Sequence, residues 1–167
     1  MTIGYSYNMI ENALARVFGV DEPFIAPLRA RINGLQRNGM TPDKPGRGKV
    51  IKYRTEDAYD YALALSLAEF GMTPLVILKQ FNLGYFRNKL LPELDKKSPT
   101  KESSHQLMLA YSPTLFREDR YGQILPATTW HFWDDGSATI SDLALSVALI
   151  NVSELRRRVD VALAEDC

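Results

Sequence analysis

The chain has 167 residues, 46% hydrophobic and 24% charged, which is globular composition with enough length for one ordinary core or two small ones. Its formal net charge of zero hides an asymmetry: nine basic residues face three acidic ones between Arg16 and Arg54, and eight face twelve from residue 91 onward. One part is therefore suited to meeting a polyanion and the other to a different task. A lone cysteine, Cys167, excludes an internal disulfide framework, and with His105 and His131 the only histidines no Cys/His zinc site is expected.

No window reaches the roughly 18 apolar residues of a membrane span. Met1 to Tyr5 has neither the basic nor the apolar region of a secretory signal, so a cytoplasmic protein with no membrane partner is expected. A first helix is predicted to start at Asn8, with Glu11 completing a capping-box-like pair; Ile10, Leu14, Val17 and Phe18 form its apolar stripe and Gly19 stops it. Asp21-Glu22-Pro23 opens a second, whose buried face is Ile25, Leu28, Ile32 and Leu35. Pro27 must fall in its first turn, because a deeper proline removes a backbone bond and clashes. On the opposite side, Arg29, Arg31, Gln36, Arg37 and Asn38 are expected to offer donors to solvent or phosphate.

Asn38 to Gly46 is a loop by its glycine and proline content. The glycine turn Gly46-Arg47-Gly48 leads into a predicted basic strand, Lys49-Val50-Ile51-Lys52-Tyr53-Arg54. Thr55 is the expected cap of a third helix that runs through Phe70 to Gly71, and Thr73-Pro74 opens a fourth, with a break at Asn82-Leu83-Gly84. Asp95 to His105 reads as a linker separating an N-terminal domain, residues 1–94, from a second domain, residues 106–167. In that second domain Gln106–Tyr111 and Ala127–Trp133 read as strands and Asp134-Asp135-Gly136 as a hairpin turn into Ser137–Ile140. Leu143 to Ile150 reads as a further strand or a helix start. Asn151 or Ser153 then caps a last helix with Leu155, Val159 and Leu163 on its apolar face. The expected class is α+β: an N-terminal winged helix-turn-helix followed by a small β-rich α/β unit.

The order of two helices, basic ribbon and capped helix resembles the winged helix-turn-helix of the MerR family of bacterial transcription regulators. The matching residues are Leu28-Arg29, Asn38-Gly39-Met40, Gly46-Arg47-Gly48 through Tyr53-Arg54-Thr55-Glu56-Asp57, and Glu69-Phe70-Gly71-Met72-Thr73-Pro74 with Ile77, spanning about residues 8–82. Ala30-Arg31 stands where the family commonly has an aromatic pair, and the family's long C-terminal dimerisation helix is missing. The cysteines of its metal chemistry are missing too, so no cofactor is carried over.

The resemblance implies a sequence-specific, DNA-binding transcription regulator in the cytoplasm, associated with the nucleoid. Arg29, Arg31, Gln36, Arg37 and Asn38 would face the major groove, where Arg reads guanine and Gln or Asn reads adenine. Arg47, Lys49, Lys52 and Arg54 would lie against phosphate or the minor groove, and Tyr53 would touch the sugar-phosphate backbone or pack inward. A module of this size binds modestly, so a homodimer on a two-fold site is expected, with RNA polymerase a candidate partner. Trp130, Phe132 and Trp133 supply aromatic material for a core or an interface. The alternatives are a DNA-architectural, recombination or packaging accessory protein, and a protein-interaction adaptor. Catalysis is not expected: His131 near Asp134 and Asp135 lacks a nucleophile, and no phosphate-binding or dinucleotide fingerprint occurs.

Overall fold

Ser6 opens the first helix, α1 (Tyr7–Phe18): its backbone is extended and its Oγ accepts from Met9 N at 3.3 Å. The cap therefore lies two residues before the expected Asn8, which sits exposed inside the helix. Gly19 ends α1 in the left-handed region, φ 60°, where glycine avoids the Cβ clash of other residues. A computed structural model of the chain describes residues 4–42, 50–81, 84–97, 106–111, 128–133 and 148–165.

Glu22–Phe24 forms one short 3-10 turn ahead of α2 (Ile25–Arg37), so Pro27 does fall in the first turn of α2. Leu28, Ile32 and Leu35 of the expected face are buried, but Ile25, at the start of the helix, is only half-buried. Helix α3 (Thr55–Glu69) is capped by Arg54 rather than Thr55: the Asp57 carboxylate, three residues into the helix, accepts from Arg54 N at 2.7 Å. Apolar residues occur all round α3, and it is buried from Asp57 through Leu65 and again at Leu67 because α1, α2 and α4 (Pro74–Gln80) pack around it. Gly84, φ 91°, marks the expected break, after which a π-helical turn at Phe86–Leu90 runs into α5 (Leu91–Lys97). Asp60, buried on α3, accepts from Gly84 N and pins that break to the central helix.

The last helix, α6 (Val152–Ala164), begins at Asn151, whose Oδ1 accepts from Glu154 N at 3.0 Å. Two compact units emerge: Met1–Pro92 joined by Leu155–Cys167, and Glu93–Glu154. Arg16 of α1 donates to Ala162 O at 2.7 Å and Tyr59 of α3 donates to Asp160, while Leu155, Val159 and Leu163 are buried. The most enclosed side chains of the first unit include Tyr61, Ile10, Leu14, Ile32, Leu35, Leu63 and Leu67. Each fully buried aliphatic chain contributes about 1.5–3 kcal/mol of transfer free energy.

Among the described residues of the second unit, three short strands pair antiparallel in the order β2-β1-β3: β1 is Gln106–Tyr111, β2 Thr128–Trp133 and β3 Ala148–Asn151. Leu109 stands opposite Trp130 on one side and Ile150 on the other.

The expected α+β class with its β-rich unit is corrected by this architecture, since helix dominates the described residues and three short strands do not amount to a β-rich unit. Two of the reasons are local. Residues 50–54, read as the strand of a wing, form no ladder; only Tyr53 pairs, in a single bridge with Tyr5. The apolar alternation around Val50 does not mark a half-buried strand either, because Val50 is 73% exposed. The remaining expected β signals, Asp134-Asp135-Gly136 and Ser137–Ile140, lie outside the described residues, as does Gly46-Arg47-Gly48-Lys49.

Candidate nucleic-acid interface

At about 100° per residue, the buried line of α2 through Leu28, Ile32 and Leu35 fixes where every other side chain of that helix points. Arg29 and Gln36 fall on one flank, Arg31 on the other, and Arg37 opposite the core. Ala26, Ala30 and Gly34 share the outward side with Arg37, so it carries few long side chains.

The flank residues are occupied by the fold. Arg29 makes a two-pronged bond to Glu11 of α1, at 2.8 and 2.7 Å. Glu11 is only 3% exposed, and the Arg29 guanidinium holds its carboxyl below the usual range while burial opposes that shift. The Tyr7 hydroxyl lies beside the same carboxylate and 3.4 Å from Asn33 Oδ1; burial first, then the Glu11 charge, pushes its pKa up to about 12. Arg31 is tied to Glu69 of α3, closing one side of an apolar concavity of about 320 Å³ lined by Phe18, Phe24, Leu28 and Leu65. As an exposed ion pair it contributes at most about 1 kcal/mol and can be exchanged for another anion.

Gln36 sits in a set of tyrosines. Its Nε2 donates to Tyr53 Oη at 3.1 Å and to Tyr61 Oη at 3.3 Å, and Tyr61 in turn donates to Met40 O at 2.5 Å. Tyr53 is 4% exposed, and its ring stands 6.3 Å from those of both Tyr7 and Tyr61. Burial raises the pKa of Tyr53 and Tyr61, which keeps both as neutral hydroxyls. Tyr53 is thus a core residue, the inward of its two expected placements. Asn38 turns back to donate to Gly34 O at 2.7 Å, closing the end of α2. Arg54 flanks the start of α3, its guanidinium 3.4 Å from Asp57.

Arg37 and Lys52 remain exposed, with no partner among the described residues. Arg37 follows Gln36 and Lys52 precedes Tyr53 in sequence, and those two neighbours are joined by the Gln36–Tyr53 hydrogen bond. The stem of Lys52 lies along Gly4: a Cβ built on Gly4 would stand 3.2 Å from Lys52 Cβ. Arg47 and Lys49 lie outside the described residues.

Residue pattern alone does not single out Tyr7, Tyr61 or Gly4 as parts of this region, and Glu11, expected to complete a capping-box-like pair with Asn8, is engaged by Arg29 instead. For Glu11 a signal exists: it sits next to Ile10 within the apolar stripe of α1, where a solvated acid is out of place. Tyr61 gives none, because an aromatic residue among Ala and Leu reads as plain core.

Among the described residues no group of His, Cys, Asp and Glu is arranged to hold a metal ion, and no helix is long and apolar enough to cross a membrane. No protein family matches the chain, and neither a curated protein nor a solved structure does.

Proposed function

We propose that the chain binds double-stranded DNA through the end of α2 and the basic stretch before α3, and acts as a transcription regulator of the MerR-like kind. The observation that carries this is the pair of exposed cations, Arg37 and Lys52, unpartnered among the described residues and next in sequence to the bonded residues Gln36 and Tyr53. In sequence they bracket Lys44, Arg47 and Lys49, and clustered cations supply the phosphate neutralisation that dominates DNA affinity. Arg37, opposite the buried line of α2, is the base reader; Lys52 positions the backbone. Arg29 and Gln36, engaged with Glu11 and the tyrosines, are withdrawn from base reading. The protein acts in the cytoplasm on the nucleoid, as a dimer on a two-fold site.

A second reading, a DNA-architectural or recombination accessory protein, is favoured by the outward side of α2, where Ala26, Ala30 and Gly34 offer no hydrogen bonds to bases. One titration series separates these readings. Affinity for duplex DNA is measured against salt concentration for the full chain, for Arg37→Ala and for Lys52→Ala. The Lys52→Ala change weakens binding to all sequences and lowers the salt slope by about 0.9. Arg37→Ala abolishes preference for the chosen site if the protein is a regulator, and acts uniformly if it is architectural. Absence of binding by the unaltered chain at low salt defeats both readings.

A further inference from the structure

The tyrosine set around Gln36 joins parts of the chain that are far apart in sequence. Tyr5 and Tyr53 exchange two backbone hydrogen bonds, Tyr53 N to Tyr5 O at 2.9 Å and Tyr5 N to Tyr53 O at 2.7 Å. The Gln36 amide reaches both Tyr53 and Tyr61, and Tyr61 holds the carbonyl of Met40, which is fully buried just after α2. The end of α2, Met40 three residues beyond it and Tyr53 are thereby fastened to one point on α3. Nothing about packing alone demands a glutamine here. An apolar side chain would fill the same flank, but it would leave the Tyr53 hydroxyl without this donor and Lys52 without a tie to α2.

We propose that Gln36 is a positioning residue: by bonding Tyr53 it holds the neighbouring Lys52 against one phosphate of the DNA backbone, while Arg37 reads the groove. This rests on the DNA-binding reading above and deepens it, because it moves Gln36 from reading bases to arranging phosphate contacts. The Gly4–Lys52 contact belongs to the same device. With Tyr5 bonded to Tyr53, Gly4 offers a surface without a Cβ along which the Lys52 stem is laid.

The test uses the full chain with Gln36→Met, which keeps volume and removes the donors, Tyr53→Phe, Lys52→Ala, and the pairwise combinations. Binding to a labelled 25-base-pair duplex is followed across a salt series, and exchange of the Tyr5 and Tyr53 amides is followed by NMR without DNA. Gln36→Met and Tyr53→Phe are each expected to weaken binding about 3- to 10-fold at low salt and to lower the salt slope by about 0.9, the loss of one phosphate contact. Adding Lys52→Ala to Gln36→Met then costs little more, because both act through the same cation. Amide exchange at Tyr53 quickens in Gln36→Met.

A loss of affinity at unchanged slope overturns the proposal, since a merely structural role lowers the active fraction without altering the number of phosphates neutralised. A loss confined to particular base sequences overturns it in favour of base reading by Gln36. Unaltered Tyr53 exchange in Gln36→Met overturns the clamp even where DNA binding changes. If the unaltered chain binds no DNA, the functional reading itself fails; that outcome is distinct from a chain that binds normally while Gln36→Met matches it, which defeats the clamp alone.

Discussion

Replacing Tyr61 by Phe removes one oxygen from the centre of the helical unit and nothing else. That oxygen donates to Met40 O at 2.5 Å and accepts from Gln36 Nε2 at 3.3 Å, and both Tyr61 and Met40 have no measurable exposure. The phenylalanine ring retains the apolar burial, so the cost is that of a buried carbonyl left without its donor, about 1–3 kcal/mol. With a urea slope near 1–3 kcal/mol/M, the unfolding midpoint falls by roughly 1 M at an unchanged slope. Far-UV circular dichroism is the appropriate signal, because the helices of the first unit dominate it. Trp130 and Trp133 are both in β2 of the second unit, so tryptophan fluorescence serves as an internal comparison that should shift little. A loss below about 0.5 kcal/mol by dichroism refutes the reasoning, since it means that Met40 O finds another donor at no cost.

Two further outcomes follow from particular contacts. Glu11 titrates below its ordinary value in the fold, so its contribution is complete above the ordinary carboxylate range and is lost as pH falls through it; Tyr7, raised from 10.0 to about 12, contributes fully below pH 10 and loses that contribution between 10 and about 12. Stability measured against pH should therefore decline at both ends, and Glu11→Gln should flatten the acid limb; an acid limb unaltered by Glu11→Gln counts against the pairing with Arg29. Asn151→Ala removes the side-chain acceptor for Glu154 N and should cost about 1 kcal/mol, read as faster amide exchange at Glu154 ahead of the rest of α6; unchanged exchange there would show that the cap is idle.

Helix boundaries illustrate how far local chemistry carries. Gly19 in the left-handed region, Pro27 in a first turn, Thr73-Pro74 before α4 and Asn151 before α6 each act over one helical turn, so the pattern of residues specifies them. The misplaced caps at Asn8 and Thr55 show the limit of the same logic: Ser6 and Arg54 win by one or two residues because Met9 N and the Asp57 carboxylate supply the better-aligned partners. Over residues 50–54, the described part of the strand expected at Lys49–Arg54, no ladder forms, for a different reason. An alternating pattern makes a strand only where another edge is present, and among the described residues Tyr5 offers a single bridge.

Among the expected DNA contacts, residue type and spacing picked out cations without telling which were already paired. That distinction depends on residues remote in sequence: Glu11 for Arg29, Glu69 for Arg31, Tyr53 and Tyr61 for Gln36. Hydrogen bonding between residues 17 to 38 positions apart has no periodic signature in a single chain.

By itself, then, the sequence determined the helices of the N-terminal half, their apolar faces and the concentration of positive charge between Arg16 and Arg54, because each arises from neighbours within a few residues. Only the tertiary structure decided that α6 returns to the first unit, fastened at Ala162 and Asp160, and that Gln36 and Tyr53 face inward while Arg37 and Lys52 face solvent. Those outcomes turn on which surfaces are covered once the helices pack, and burial is a property of the assembled chain rather than of any segment in it.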